Sequence, residues 1–196
     1  MEKLILTDVD GVLVAWDTHF HTYMHSRGHE KAHDRHSYWQ ETYYPHLSED
    51  RAREMVYHFN TSSWMIDVPA YKDARTGVAR LVENGYKFVA ITAMGLDPYA
   101  LEVRKINLER LFGKDVFADV IATDMYDPDS KRSTLGAYKD TGLPWIEDKP
   151  SNAELGAELG LNSFLLEHGY NKDYEPVGNV NCVSSWADIC DVILTD

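Results

Sequence analysis

The stretch "LILTDVDGVL" places two carboxylates, Asp8 and Asp10, two residues apart at the end of a short apolar run. Extended backbone at that spacing presents both side chains on one side, and Gly11 lets the chain turn sharply after them. Two further acids, Glu147 and Asp148, close the run "LPWIED", and Thr92 closes "FVAIT". Carboxylates gathered this closely repel one another unless a cation sits among them. An oxygen-only set suits Mg²⁺, which keeps several waters and takes one or two carboxylates together with a phosphate oxygen. Asp8, Asp10, Glu147 and Asp148 are therefore the candidate metal ligands, and the expected cofactor is Mg²⁺.

Such a set works only if separate chain segments deliver it to one place. Short apolar runs at residues 3–7, 87–93, 116–123, 144–146 and 163–166 read as buried strands. Helical patterns lie between them at 73–83, 98–112, 133–139 and 151–159. The last opens on Ser151 with Glu154 three residues on, a capping-box pattern. Alternating strands and helices imply an α/β fold with a parallel sheet covered on both faces, and ligands of such sheets bind at the carboxyl ends of the strands. Residues 16–69 break the alternation. They contain no strand-like run, a helical pattern at 48–59, and eight of the nine histidines. The division expected is a core of residues 1–15 and 70–196 with a small, mostly helical insertion at 16–69.

A chain of 196 residues, 44% hydrophobic and 26% charged, has the size and balance of one domain with such an insertion. Its formal net charge of -13 disfavours a nucleic-acid or anionic-membrane partner. No segment has the length of a membrane span, and the N-terminal apolar run is too short for a signal peptide. Cys182 and Cys190, the only cysteines, read as reduced packing residues, so a cytoplasmic setting is expected. A homodimer is left open.

These motifs resemble those of the haloacid dehalogenase (HAD) superfamily of phosphotransferases. "LILTDVDGVL" is similar to its first motif, "FVAITA" with Thr92 to its second, and "PWIED" with Glu147 and Asp148 to its fourth. The resemblance implies a three-layer, Rossmann-like parallel sheet with a cap inserted after the first strand. It also implies roles. Asp8 would attack phosphorus and become an aspartyl-phosphate; Asp10 would protonate the leaving oxygen and then activate water. Thr92 would bind a phosphoryl oxygen, and a lysine would neutralise developing charge. Lys131 is preferred for that lysine over Lys139 and Lys149. Asp148 is expected to bind the metal directly, Glu147 directly or through water, with Asn152 orienting them. The implied activity is hydrolysis of a small phosphate ester. A 5'-nucleotide or deoxynucleotide is the leading substrate, on the aromatic character and size of the cap, with another phosphorylated metabolite as the alternative. The cap is similar in length and helical character to the small caps of the deoxyribonucleotidase branch.

The same residues admit rival readings. "DVDG" lacks the third acid, the later Glu and the flanking helix of a calcium loop. A signalling receiver also gathers acids, Thr and Lys around Mg²⁺, but its phosphate acceptor lies on the third strand. A non-catalytic phospho-acceptor or metal-binding protein is the remaining alternative. The series His21, His25, His29 and His33 would share one helical face, an arrangement that invites zinc; without a nearby cysteine these side chains read as solvated or lining the insertion. Trp16, Trp39 and Trp64, with Tyr23, Tyr38, Tyr43 and Tyr44, read as the insertion's core or as a stacking surface for a base. The segment "DPD" at 127–129 reads as a surface turn.

Overall fold

The computed structural model describes residues 3–37 and 40–195, so Tyr38 and Trp39 lie outside it. Six strands, β1 (Lys3–Thr7), β2 (Tyr86–Ala93), β3 (Phe117–Thr123), β4 (Pro144–Glu147), β5 (Asn162–Leu166) and β6 (Val180–Val183), form one sheet in the order β3-β2-β1-β4-β5-β6. Every pairing is parallel. The chain builds outward from β1 through β2 to β3, then crosses to the other side for β4 to β6. The crevice where that direction changes opens at the carboxyl ends of β1 and β4.

Both faces are covered, as the buried runs of β1, β2, β4 and β5 require. Alternate residues feed two cores: Ile5, Phe88, Ala90 and Ile146 point to one, Leu6, Val89, Ile91 and Trp145 to the other. The first core receives α3 (Lys72–Glu83), α4 (Pro98–Phe112) and α7 (Trp186–Thr195); the second receives α5 (Pro128–Gly136) and α6 (Pro150–Glu158). Among the described residues no helix is long and apolar enough to cross a membrane.

Between β1 and α3 lie α1 (Trp16–Ser26), a 3₁₀ turn at Gln40–Tyr43, α2 (Glu49–Asn60) and a second 3₁₀ turn at Ser63–Asp67. Ser48 caps α2 by accepting from Arg51 N at 3.2 Å. Rings hold this segment together: Phe20 stacks on Trp16 with centroids 4.8 Å apart, and Phe59 meets Trp16, Phe20 and Tyr23 edge-on. That aromatic cluster is continuous with the first sheet core. The chain goes out and returns side by side, with Ala15 N donating to Pro69 O at 2.9 Å and Tyr71 N to Leu13 O at 3.0 Å.

Several local expectations change. β6 and α7 are not among the expected elements, although Trp186, Ile189, Cys190 and Ile193 carry a helical spacing and are all buried. The presumed turn at 127–129 starts α5: Asp127 accepts from Asp129 N at 2.9 Å and Pro128 occupies the first turn, where its missing N–H costs nothing. The helix expected at 133–139 therefore begins five residues earlier and ends at Gly136. The Ser151–Glu154 capping box does not form. Pro150 opens α6 instead, and Glu154 accepts from Val177 N at 2.7 Å and the Tyr174 hydroxyl at 3.0 Å.

Gly77 lies where α3 packs against α7. A Cβ there would lie 2.8 Å from Trp186 Cβ. Alanine would gain about 1 kcal/mol of helix propensity but overpack a fully buried seam, which costs about 1–3 kcal/mol. Gly77→Ala is therefore expected to lower the urea-unfolding free energy; a gain in stability would contradict this packing.

Candidate active site

Strand ends deliver the acids. Asp8 follows β1, and its N–H donates to Ile146 O at 2.8 Å, which seats it beside the end of β4. Glu147 ends β4, followed by Asp148; Thr92 lies near the end of β2, and Lys131 in the first turns of α5. All five are buried. Carboxylate oxygens of Asp8, Glu147 and Asp148 come within 4.8 Å of one another. Asp10, also expected among the metal ligands, stands outside this group: its carboxylate pairs with the Arg104 guanidinium instead.

Lys131 Nζ lies 2.8 Å from Asp8 Oδ1 and 2.8 Å from Glu147 Oε1. Lys139 is exposed on the surface, and Lys149 lines the cavity just before α6. Glu147 has no spare acceptor. Oε1 receives Lys131 and Asn152 Nδ2 (2.6 Å), while Oε2 receives the N–H groups of Asp148 (2.7 Å) and Lys149 (2.8 Å). Burial opposes its charge, yet Lys131 and these donors hold its carboxyl below the usual range. Burial likewise opposes the Lys131 charge, and Asp8 and Glu147 outweigh it, so the ammonium stays protonated.

The other two acids are short of positive charge. Burial pushes Asp8 up to about 7; Lys131 pulls it down, and Glu147 and Asp10 add to the rise. Asp148 is pushed well above the ordinary range by burial and by the charges of Glu147 and Asp8. Three carboxylates thus face one ammonium, a deficit that a divalent cation fits. Gly11 makes room for this. With φ at +84° it lies so close to the Asp148 carboxylate that a Cβ would collide with it.

Residues beyond β5 complete the surroundings. Tyr170 donates its hydroxyl to Asp148 Oδ2, and Asn171 Nδ2 donates to Asp148 O at 2.6 Å. His168 Nε2 lies 2.6 Å from Gly11 O, and its ring stacks on Tyr170. None of the three carries a local signal, because a loop after an apolar strand shows nothing of where it docks. Thr92 Oγ1 is buried and has no hydrogen-bond partner among the described residues. It borders a cavity of about 560 Å³ lined from the sheet side by Asp8, Lys131 and Asp148, and from the inserted segment by Trp16, Gln40 and Arg53.

Among the described residues, the insertion's histidines do not gather closely enough to share a metal ion. Residues 29–33 read His-Glu-Lys-Ala-His, a zinc-binding spacing that works only on a helix. α1 ends at Ser26, so the shared helical face expected for His21 to His33 does not exist. His29 Nδ1 faces His46 Nε2 at 3.1 Å, and His33 packs on Tyr43. Among the described residues, Asp8, Glu147 and Asp148 are the one group of three or more such ligands close enough to share an ion.

No family model matches the chain. An uncharacterized 32.4 kDa protein from the Gp30-rIII intergenic region of Enterobacteria phage T4 is 29% identical over 167 residues. That match takes in 81% of this chain and 58% of the phage protein, so the chain spans less than two thirds of its relative. Among solved structures, a haloacid dehalogenase-like hydrolase from Streptococcus pneumoniae superposes with a TM-score of 0.68 at 13% identity, covering 97% of this chain and 98% of that one. D,D-heptose 1,7-bisphosphate phosphatase from B. bronchiseptica, solved with magnesium and phosphate, gives 0.60 at 17% identity and 98% of each chain. The chain has the fold of the haloacid dehalogenase-like hydrolases.

Two substitutions probe these contacts. Gly11→Ala combines a left-handed backbone with a collision against Asp148 and should cost about 1–3 kcal/mol by urea denaturation; an unchanged midpoint would contradict the close approach. His21, half-buried beside the Tyr44 hydroxyl at 2.8 Å, is pushed down to about 4 by burial and then by Lys31. Free histidine titrates near 6.5, so between about pH 6.5 and 4 the unfolded chain binds a proton that the folded chain refuses. Stability from this group is present above that window and is lost as pH falls through it. His21→Asn should flatten the fall in unfolding free energy across the window, read from urea titrations at several pH values.

Proposed function

We propose that the protein is a Mg²⁺-dependent phosphatase that hydrolyses a small phosphomonoester through an aspartyl-phosphate on Asp8. The observation that carries this reading is the orphaned Thr92 hydroxyl. A buried hydroxyl left unpaired costs free energy, and this one borders the cavity that the Asp8 carboxylate and the Lys131 ammonium also line. A phosphoryl oxygen would give it a partner, and Lys131 would balance the charge.

Asp8 attacks phosphorus as the bond to the leaving oxygen breaks, and that oxygen takes the proton of Asp10. Asp10 then removes a proton from a water that attacks the phosphorus, releasing phosphate and regenerating Asp8. Lys131 holds Asp8 in place and offsets the charge that develops on the phosphoryl oxygens. Asp8 and Asp148 would hold the cation, since every acceptor of Glu147 is already engaged. When bound, it supplies charge neutralisation for the phosphoryl group. Glu147 and Asn152 act as supports, fixing Lys131 and the turn that carries Asp148.

The substrate class proposed is a 5'-nucleotide or deoxynucleotide. A cavity of about 560 Å³ exceeds what a bare phosphate needs. Its rim offers Trp16 and the exposed ring of Tyr126, with the Arg53 guanidinium 5.3 Å above the latter. A sugar phosphate is the second candidate, since the B. bronchiseptica neighbour is a heptose bisphosphate phosphatase.

Incubation with nucleotides, sugar phosphates and p-nitrophenyl phosphate should release phosphate with Mg²⁺, lose that release in EDTA, and regain it when Mg²⁺ is restored. Asp8→Asn should reduce the rate by about a thousandfold or more, the scale on which a lost nucleophile is felt. Unchanged release by Asp8→Asn would remove Asp8 as nucleophile.

A further inference from the structure

α4 turns one charged side chain inward. Arg104 is fully buried, and Nη2 donates to Asp10 Oδ1 at 2.5 Å. Nη1 donates to Asn107 Oδ1 at 3.4 Å, and Nε has no hydrogen-bond partner among the described residues. Arg104 is not among the residues lining the cavity, so it does not touch a ligand there. Removing a guanidinium from water costs several kcal/mol, and a well-packed apolar residue in its place is often neutral or stabilising. Core packing therefore does not account for this side chain, whereas a task at Asp10 does.

Asn107 extends the connection. Its Nδ2 donates to Ile66 O at 3.0 Å and Val68 O at 2.8 Å, the carbonyls of the segment by which the chain comes back from residues 16–69 toward α3. One chain of contacts thus runs from Asp10 through Arg104 and Asn107 to the base of the insertion.

Resting on the phosphatase reading, we propose that Arg104 is a positioning residue for proton transfer: it clamps Asp10 through Oδ1, leaving Oδ2 to exchange the proton, and Asn107 ties that clamp to the insertion's returning segment. In the first half-reaction Oδ2 gives its proton to the leaving oxygen as the phosphorus–oxygen bond breaks and the bond to Asp8 forms. In the second half-reaction Oδ2 takes a proton from the water that displaces Asp8. Both transfers need the carboxylate held in place, and the bond to a fully buried guanidinium supplies that hold.

Leaving-group chemistry tests this. A p-nitrophenolate leaves with little help from an acid, whereas an alkoxide needs its proton. Wild type, Arg104→Met, Arg104→Lys and Asn107→Leu are compared on p-nitrophenyl phosphate and on an alkyl phosphate that wild type turns over. Arg104→Met should lose about ten- to a hundredfold more kcat on the alkyl substrate than on the aryl one, with KM on both nearly unchanged. Arg104→Lys should recover part of the difference, and Asn107→Leu should show it more weakly. In an Asp10→Asn background Arg104→Met should add no further discrimination, because the group it positions is gone. Thermal unfolding midpoints run in parallel, and if Arg104→Met does not fold, the comparison rests on Arg104→Lys and Asn107→Leu. Equal losses on both substrates, or none, overturn the positioning role while leaving the phosphatase reading intact. A wild type that releases phosphate from neither overturns that reading and this proposal together.

Discussion

One buried ammonium holds the crevice together. Lys131 stands between Asp8 and Glu147, 2.8 Å from each, where burial alone would drive carboxylates neutral. Its position depends on three separate parts of the chain: the end of β1, the end of β4 and the first turns of α5. The Asp127 cap and Pro128 start that helix early enough to aim the side chain inward. Lys131 in turn engages Glu147, whose remaining acceptors fasten the turn into α6. Breaking a pair buried to this degree leaves an uncompensated charge, so the site and the sheet's carboxyl edge are stabilised or lost together.

The arrangement also separates the two carboxylates of the first motif. They leave β1 together, but Asp8 turns to an ammonium and Asp10 to a guanidinium on α4. Burial raises both above the ordinary aspartate value, against the opposing pull of those cations. Their different partners, lysine at the sheet crevice and arginine beneath the insertion, allow a difference in task that their adjacent positions do not reveal.

Much of this was legible in the sequence. Strand ends that finish in Asp, Thr or Glu-Asp are local signals, and the parallel α/β sheet follows from the alternation of patterns. α7 was legible too in its Trp186, Ile189, Cys190 and Ile193 spacing; β6 was not, because Val-Asn-Cys-Val at a sheet edge carries no clear alternation. Arg104 and Asn107 show where such reading stops. They occupy the apolar stripe of α4 beside Ala100, Val103 and Leu108, and a polar pair there reads as a weaker helix face unless its buried partners are known. His168, Tyr170 and Asn171 reach the site from a loop whose docking is wholly tertiary. The histidine series illustrates the converse: the spacing was real, but the helix that would have aligned it ends at Ser26.

The paired backbones at the base of the insertion have a further meaning for chain length. Val14 and Ala70 form an antiparallel bridge, so whatever lies between them is a closed loop whose two ends are pinned beside each other. For a flexible loop, closure entropy grows only logarithmically, about 0.6 kcal/mol for each doubling of length. Residues added far from that bridge would leave the register of β1 against β2 untouched. The sheet and its carboxylates are thereby insulated from the length of what covers them.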